Sequence, residues 1–416
     1  MSDPRPAPPA FVPLYTAFAA GYLLSYLFRT VNAVISPELT RDLGLAPGSL
    51  GFLTSAYFVA FAVMQIPVGM LLDRYGPRRV EPVLLAVASA GALLFASADG
   101  LAGLTLGRAI IGAGVASCLM APLKGIAMWY PVEKQASLAG WMMVSGGVGA
   151  LAATTPIEIA LRFGTWREIF VVLAALTLGV AVWLWFRVPD IARHAPTAGF
   201  AAQWAGVKVV FGHPRFWWIA PLAGFGMGAF MAVQGLWAVP WMMEVEGMTR
   251  GAAATTLLAM SAVILAGYLL LGLFATGMRA RGVLPRHLFA AGFAINAAAF
   301  ALIVARVPGG FLWWSLYGLG AAANVLAFSV LNEGFAREFA ARSNTAANLV
   351  MFAGSFATQW GIGLAVDALR SATGMDTASA LRYAFLLVLV LDLATLAWFA
   401  YGWKRHAVHA GPAHAA

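Results

Sequence analysis

Charge is what this chain has least of. Only 10% of its 416 residues are Asp, Glu, Lys or Arg, where an ordinary globular domain carries about 25%. Lysine occurs only at Lys124, Lys134, Lys208 and Lys404, and the six histidines all fall in loops or tails. A single cysteine, Cys118, excludes an internal disulfide and any cysteine-based metal cluster within one chain. So little charge excludes a disordered chain and a nucleic-acid-binding domain. An integral membrane enzyme would need His, Asp or Glu clustered at membrane depth, and no such cluster is visible. The chain is therefore not read as an enzyme, and no cofactor is expected.

What is present is apolar. Hydrophobic residues make up 61% of the sequence and glycine contributes 44 positions, against about 45–50% apolar in soluble domains. That much apolar surface is hard to hide from water. Its mixture of large and small residues suits helices packed closely in lipid. With about 20 apolar residues per crossing, twelve spans can be drawn, from 11–36 through a fourth at 101–128 to a last at 380–403. Residues 1–13 hold five prolines and no charged-then-apolar leader, so the first span is expected to stay as a membrane anchor.

The longest polar break, 189–214, falls at the midpoint. It divides the chain into an N-terminal six-helix bundle at 1–188, a central cytoplasmic loop at 189–214 and a C-terminal six-helix bundle at 215–416. The halves repeat: Gly76 aligns with Gly282 at an offset of 206, Pro37 with Pro240 at 203, and Gly146 with Gly354 at 208. With both termini on one side, that side holds sixteen basic residues and the other seven. The positive-inside rule then puts both termini in the cytoplasm, in the cell inner (plasma) membrane. Arg29, Arg108 and Lys124 remain inside spans.

The segment Gly69-x-x-x-Asp73-Arg74-x-Gly76-x-Arg78-Arg79 between spans 2 and 3 resembles the loop 2–3 signature of the major facilitator superfamily. Arg108-x-x-x-Gly112-x-Gly114 resembles its fourth-helix motif, and 276–286 holds a weaker copy of the loop signature. The resemblance covers the whole chain. It implies an all-α membrane protein of 12 transmembrane helices in two six-helix bundles, which rock around a central cavity. It also implies that Asp73 caps the start of a helix in the other half, a placement the helix dipole favours by about 0.3–1 kcal/mol. Gly69 and Gly76 would permit close approach and a tight turn. The bland alternative is a solvated loop that only obeys the positive-inside rule.

Arg29 is the most informative residue, because an arginine in a span costs at least about 2.5–3.5 kcal/mol on insertion scales. Tyr22, Ser25, Arg29, Asn32 and Ser36 fall on one helical stripe. Either Arg29 binds an anionic solute in a cavity, its planar fork matching a carboxylate, or it is structural and paired with a buried carboxylate or helix carbonyls. Some organic-anion members of the superfamily have a first-helix arginine in a Tyr-x-x-Arg setting, a pattern that Tyr26 and Arg29 fit loosely. Lys124 either adds a second charge to the cavity or snorkels to the interface. Arg108 is open to structural or proton-coupling roles. Second-half candidates for solute contact are Gln234, Trp241, Asn324, Asn348 and Gln359.

Met227 and Met231, one turn apart, are the one metal candidate, since paired thioethers suit Cu(I). A copper-importing branch of the superfamily adds a His-x-x-x-Met on the next helix, and here span 8 has Met260 but no histidine. Carboxylates near membrane depth are Asp392, Glu158, Glu333 and Asp367, which gives a proton carrier thin support. The reading is a secondary active importer of a small polar, anionic organic solute, coupled to protons. A riboflavin-type vitamin or copper importer of the same superfamily is the alternative, and a transport-like membrane sensor the alternative of another class. The expected partners are the solute, the bilayer and a proton, with no nucleic acid, and the protein is expected to act as a monomer.

Overall fold

The computed structural model describes residues 11–189, 200–332 and 340–407. Parts of the central loop, Glu333, and Arg5, Arg193 and Arg337 of the charge count lie outside the described residues. All regular structure among the described residues is helical. The N-terminal part runs α1 (Phe11–Leu43), α2 (Pro47–Tyr75), α3 (Pro77–Ser97), α4 (Leu101–Gly114), α5 (Met120–Trp129), α6 (Val132–Ala152), α7 (Thr155–Ala160) and α8 (Trp166–Arg187). A short α9 (Phe200–Phe211) occupies part of the central loop. The C-terminal part runs α10 (Pro214–Pro221), α11 (Met227–Ala232), α12 (Ala238–Glu244), α13 (Arg250–Ala280), α14 (Pro285–Val304), α15 (Gly310–Ala321), α16 (Leu326–Asn332), α17 (Ala340–Thr373) and α18 (Thr377–Ala407).

Eleven of the described helical stretches are long and apolar enough to cross a membrane. The twelfth expected span, the fourth, differs: α4 is a shorter apolar helix, and irregular turns at 115–119 separate it from α5. Proline supplies the reason. Pro122 has no N–H for the carbonyl of Cys118 four residues earlier, and its ring crowds that carbonyl. The chain turns on shorter bonds, such as Cys118 N–H to Val115 O at 3.2 Å. Span 7, Pro214–Glu244, is interrupted by π-helical turns at Leu222–Gly226 and Val233–Trp237. Span 10 is interrupted by a 3-10 turn at Ala322–Val325. Such irregular backbone at membrane depth is tolerated where it is buried in protein or lines a cavity.

Lipid-facing residues mark the outside of the bundle. On α8, Leu176, Val182 and Phe186 are exposed, and on α18 so are Leu387, Val390 and Trp398. The apolar core lies inward and joins residues of both parts, among them Phe28, Tyr57, Trp237 and Phe385. Helices α2 and α17, one from each part, pack along each other. The α2–α3 connection turns at Gly76 with φ of 74°, and the α13–α14 connection turns at Gly282 with φ of 82°. Both are left-handed positions that glycine alone adopts without strain.

Candidate functional site

Helix α1 carries the site. Its polar stripe is buried throughout: Tyr22, Ser25, Arg29, Asn32 and Ser36 all lie inside the protein. Arg29 is only 7% exposed, and among the described residues no carboxylate lies within ion-pair distance of it. Aromatic faces surround it instead. Its guanidinium carbon sits 4.5 Å from the centre of the Tyr26 ring, 5.3 Å from Phe61 on α2 and 5.7 Å from Phe352 on α17. Ring faces attract cations by about 0.5–2 kcal/mol, more when desolvated. That is less than a carboxylate would give, and Nε of Arg29 is buried without a hydrogen-bond partner.

Four phenols complete the surroundings. Tyr22, Tyr26 and Tyr57 lie within electrostatic reach of the guanidinium, and Tyr268 on α13 does so from the other part. The Tyr22 and Tyr26 rings meet edge to face at 5.1 Å, and the Tyr57 hydroxyl donates to the Ser25 carbonyl at 3.2 Å. Asn32 is tied to α2, its Nδ2 donating to Thr54 Oγ1 at 2.9 Å, while its Oδ1 stays buried and unpartnered. The second half closes over the same point. An added Cβ at Gly235, in the second π turn, would lie 3.4 Å from the Arg29 carbonyl, and the adjacent Gln234 donates to Ser261 Oγ at 3.3 Å.

Sequence reasoning missed Tyr57, Phe61, Tyr268 and Phe352. An apolar or aromatic residue on a transmembrane face reads as packing, and only the fold shows which rings turn toward Arg29. Other expected residues lie elsewhere. Lys124 forms an ion pair with Asp73, so the motif carboxylate has a partner on α5 of its own half. Trp241 is fully buried, donates to Glu246 Oε1 at 2.8 Å and stacks on Phe385. Gln359 is fully buried with both amide atoms unpartnered, and its carbonyl accepts from Trp237 Nε1 at 2.9 Å. Asn324 lies buried in the 3-10 turn with Oδ1 unpartnered, and Asn348 is half-buried on α17. Met231 accepts from the Ser355 hydroxyl at 3.3 Å, and Met227 is partly buried against the core.

The motif residues divide by task. Arg108 is fully buried, donates from Nη1 to the Phe28 carbonyl at 2.7 Å and lies 5.0 Å over the Tyr57 ring. Gly112 lets α4 touch α2, because a Cβ there would come within 2.3 Å of the Tyr57 carbonyl. Arg78 donates to the Trp185 carbonyl at 3.3 Å and Arg74 lies over Tyr75. Arg79 has a partner as well. Gly69 differs from expectation, since a Cβ there meets nothing within 4 Å.

At the end of the bundle that holds the α1–α2 loop, the two parts are joined by charge. Arg250, which opens α13, pairs with Glu38 of α1 and lies 4.0 Å from Glu158 of α7, itself paired with Arg162. Asp367 near the end of α17 accepts from the Gly48 N–H at the start of α2 at 2.8 Å.

The profile of the Major Facilitator Superfamily matches residues 18–359. A hexuronate transporter of Escherichia coli (strain K12) is 30% identical over 170 residues, which are 40% of this chain and 39% of that protein. A probable sulfoacetate transporter, SauU, of Cupriavidus necator (strain H16) is 27% identical over 158 residues, 38% of this chain and 37% of that protein. The chain thus covers about two fifths of the length of these relatives. In structure, a bacterial homologue of the human lysosomal transporter Spinster, inward-facing and occupied, superposes with a TM-score of 0.75 at 19% identity. That superposition covers 94% of this chain and 96% of the other.

Proposed function

The chain belongs to the major facilitator superfamily, and on that premise we propose that it is a secondary transporter importing a small organic anion by alternating access, in symport with protons. The observation that carries this reading is Arg29. A permanently charged guanidinium inside a membrane protein, flanked by rings of both halves and paired with no described carboxylate, is a site short of one negative charge. A carboxylate supplies that charge in the geometry the guanidinium fork prefers. Tyr22, Tyr26, Tyr57 and Tyr268 offer hydroxyls for a polyhydroxylated solute, and Asn32 and Gln359 keep buried amide atoms in reserve. Sugar acids fit this set, and the two named relatives share an anionic cargo while differing in its size. Residues 1–188 and 215–416 are the two rocking bodies, with both termini in the cytoplasm.

Uptake of radiolabelled D-glucuronate into proteoliposomes tests the reading, with sulfoacetate and neutral D-glucose alongside. Saturable uptake of an acid, competed by other acids and not by glucose, is the expected result. An anion that stabilises the purified protein equally with and without Arg29 would exclude this site. The copper alternative would place Cu(I) at Met227 and Met231, and there the Met231 thioether accepts a hydrogen bond from Ser355.

A further inference from the structure

A carboxylate that sequence reasoning passed over lies wholly inside the protein. Glu81 on α3 has no exposed surface, and neither of its oxygens has a hydrogen-bond partner. Its Oε1 fills the space beside Gly21 of α1, 2.7 Å from where a Cβ would stand. The Cys118 thiol lies alongside, in the irregular turn that Pro122 imposes on the fourth span. An ionised carboxylate cannot persist in such a place, because its desolvation far exceeds what a lone thiol returns. The cations and acids of the surrounding helices are engaged elsewhere. Arg108 of α4 bonds the Phe28 carbonyl, Lys124 of α5 pairs with Asp73 of α2, and Arg167 and Glu168 of α8 bond Asp99 and Thr165. Arg187 of α8 is exposed.

We infer that Glu81 is the proton-binding group of this transporter: its carboxylate takes up one proton to form the neutral acid held in the present conformation, and gives it back when α1 and the broken fourth span part from α3. The inference rests on the transport reading above and names the residue through which coupling acts. Cys118 links the two charges, since it borders Glu81 and lies within electrostatic reach of Arg29. In the empty carrier the positive charge of Arg29 opposes proton binding nearby. An anion seated on Arg29 removes that opposition, so anion and proton favour each other's binding, and linkage requires the effect to be reciprocal. Gly21 is the device that lets the carboxyl lie against the helix that carries Arg29.

Glu81→Gln keeps the shape of the neutral acid and cannot exchange a proton, which makes it the decisive variant, with Asp392→Asn as its comparison. Asp392 is also buried with unpartnered oxygens, on peripheral α18. Proteoliposomes are loaded with a pH dye and given radiolabelled D-glucuronate with and without an inward proton gradient. With one proton per anion, a one-unit pH gradient supports about tenfold accumulation in the wild type and in Asp392→Asn. Glu81→Gln is expected to exchange labelled for unlabelled glucuronate while accumulating none and moving no protons. Gradient-driven accumulation by Glu81→Gln overturns the inference, as does wild-type uptake without proton movement. If the wild type carries no glucuronate at all, the substrate reading fails separately, and infrared titration decides the proton site. A protonated-carboxyl band present at neutral pH and removed in Glu81→Gln supports the inference, and its absence overturns it. Should Glu81→Gln fail to fold, Glu81→Asp must shift that same band.

Discussion

At the scale of single residues, the three basic residues inside spans do three different things. Lys124 is neutralised by Asp73, Arg108 bonds a carbonyl that ties α4 to α1, and Arg29 sits among rings contributed by both halves. Their positions were legible in the sequence because charge is rare here; their partners were not, because each pairing crosses between helices. Replacing Arg29 by alanine is expected to weaken D-glucuronate binding about tenfold to a hundredfold, the equivalent of one charged hydrogen-bonding pair worth about 1.5–3 kcal/mol. Arg29→Lys should recover only part, since an ammonium cannot reproduce the two-pronged contact. Calorimetric titration of each variant checks this, and equal affinities would remove Arg29 from the site. Arg108 makes a contrasting case. With its Nη1 on Phe28 and no described carboxylate at hand, it fastens α4 to α1 and α2. Arg108→Ala should lower the melting temperature in detergent while leaving the proton-to-anion ratio of the surviving transport unchanged.

At the scale of elements, most helices follow from apolar length alone, and the departures follow from proline and glycine. The fourth span reads as one continuous run in the sequence, yet Pro122 splits it at the turn that holds Cys118. Proline inside a span was visible; that Pro122 would break its helix while Pro37, Pro67 and Pro82 stay within continuous ones was not. Glu81 was hidden for a related reason. It stands one turn into α3, where a charged residue reads as the edge of a span, and only packing against Gly21 and Cys118 puts it inside. Gly112 shows the same dependence from the other direction. As a letter in a motif it carries no geometry, but in the fold it is the point at which α4 meets the backbone of Tyr57. A methyl group there would overlap a carbonyl that cannot move without shifting α2. Gly112→Ala is therefore expected to cost about 1–3 kcal/mol, read as a fall in thermal stability. Gly69→Ala, whose Cβ meets nothing, should leave stability within about 0.5 kcal/mol of wild type.

At the scale of the whole molecule, internal duplication was legible from offsets alone, and the structure gives those offsets a physical meaning. Gly76 and Gly282 both take positive φ after corresponding helices, and Gly146 and Gly354 each crowd the first helix of their own half. What no offset reveals is how the halves are held together. That role falls to Arg250 between Glu38 and Glu158, and to Asp367 at the start of α2, all at the end of the bundle with the α1–α2 loop. These contacts join the N-terminal part to the C-terminal part, and they must break if that end is to open. Removing Arg250 takes away the C-terminal member of this cluster, since Glu38 and Glu158 both belong to the N-terminal part and Glu158 keeps Arg162. Arg250→Ala is thus expected to shift the population toward the state open at that end. Spin labels on cysteines at Ala46 and Ser371, both exposed at the ends of α2 and α17, report the separation directly. The buried Cys118 is shielded from labelling. Wild type should give mainly the short distance, and Arg250→Ala and Glu38→Gln should each give a longer one, since either removes the same cross-half ion pair. A distance distribution unchanged by Arg250→Ala would mean that α2 packed along α17 holds this end closed without the charges.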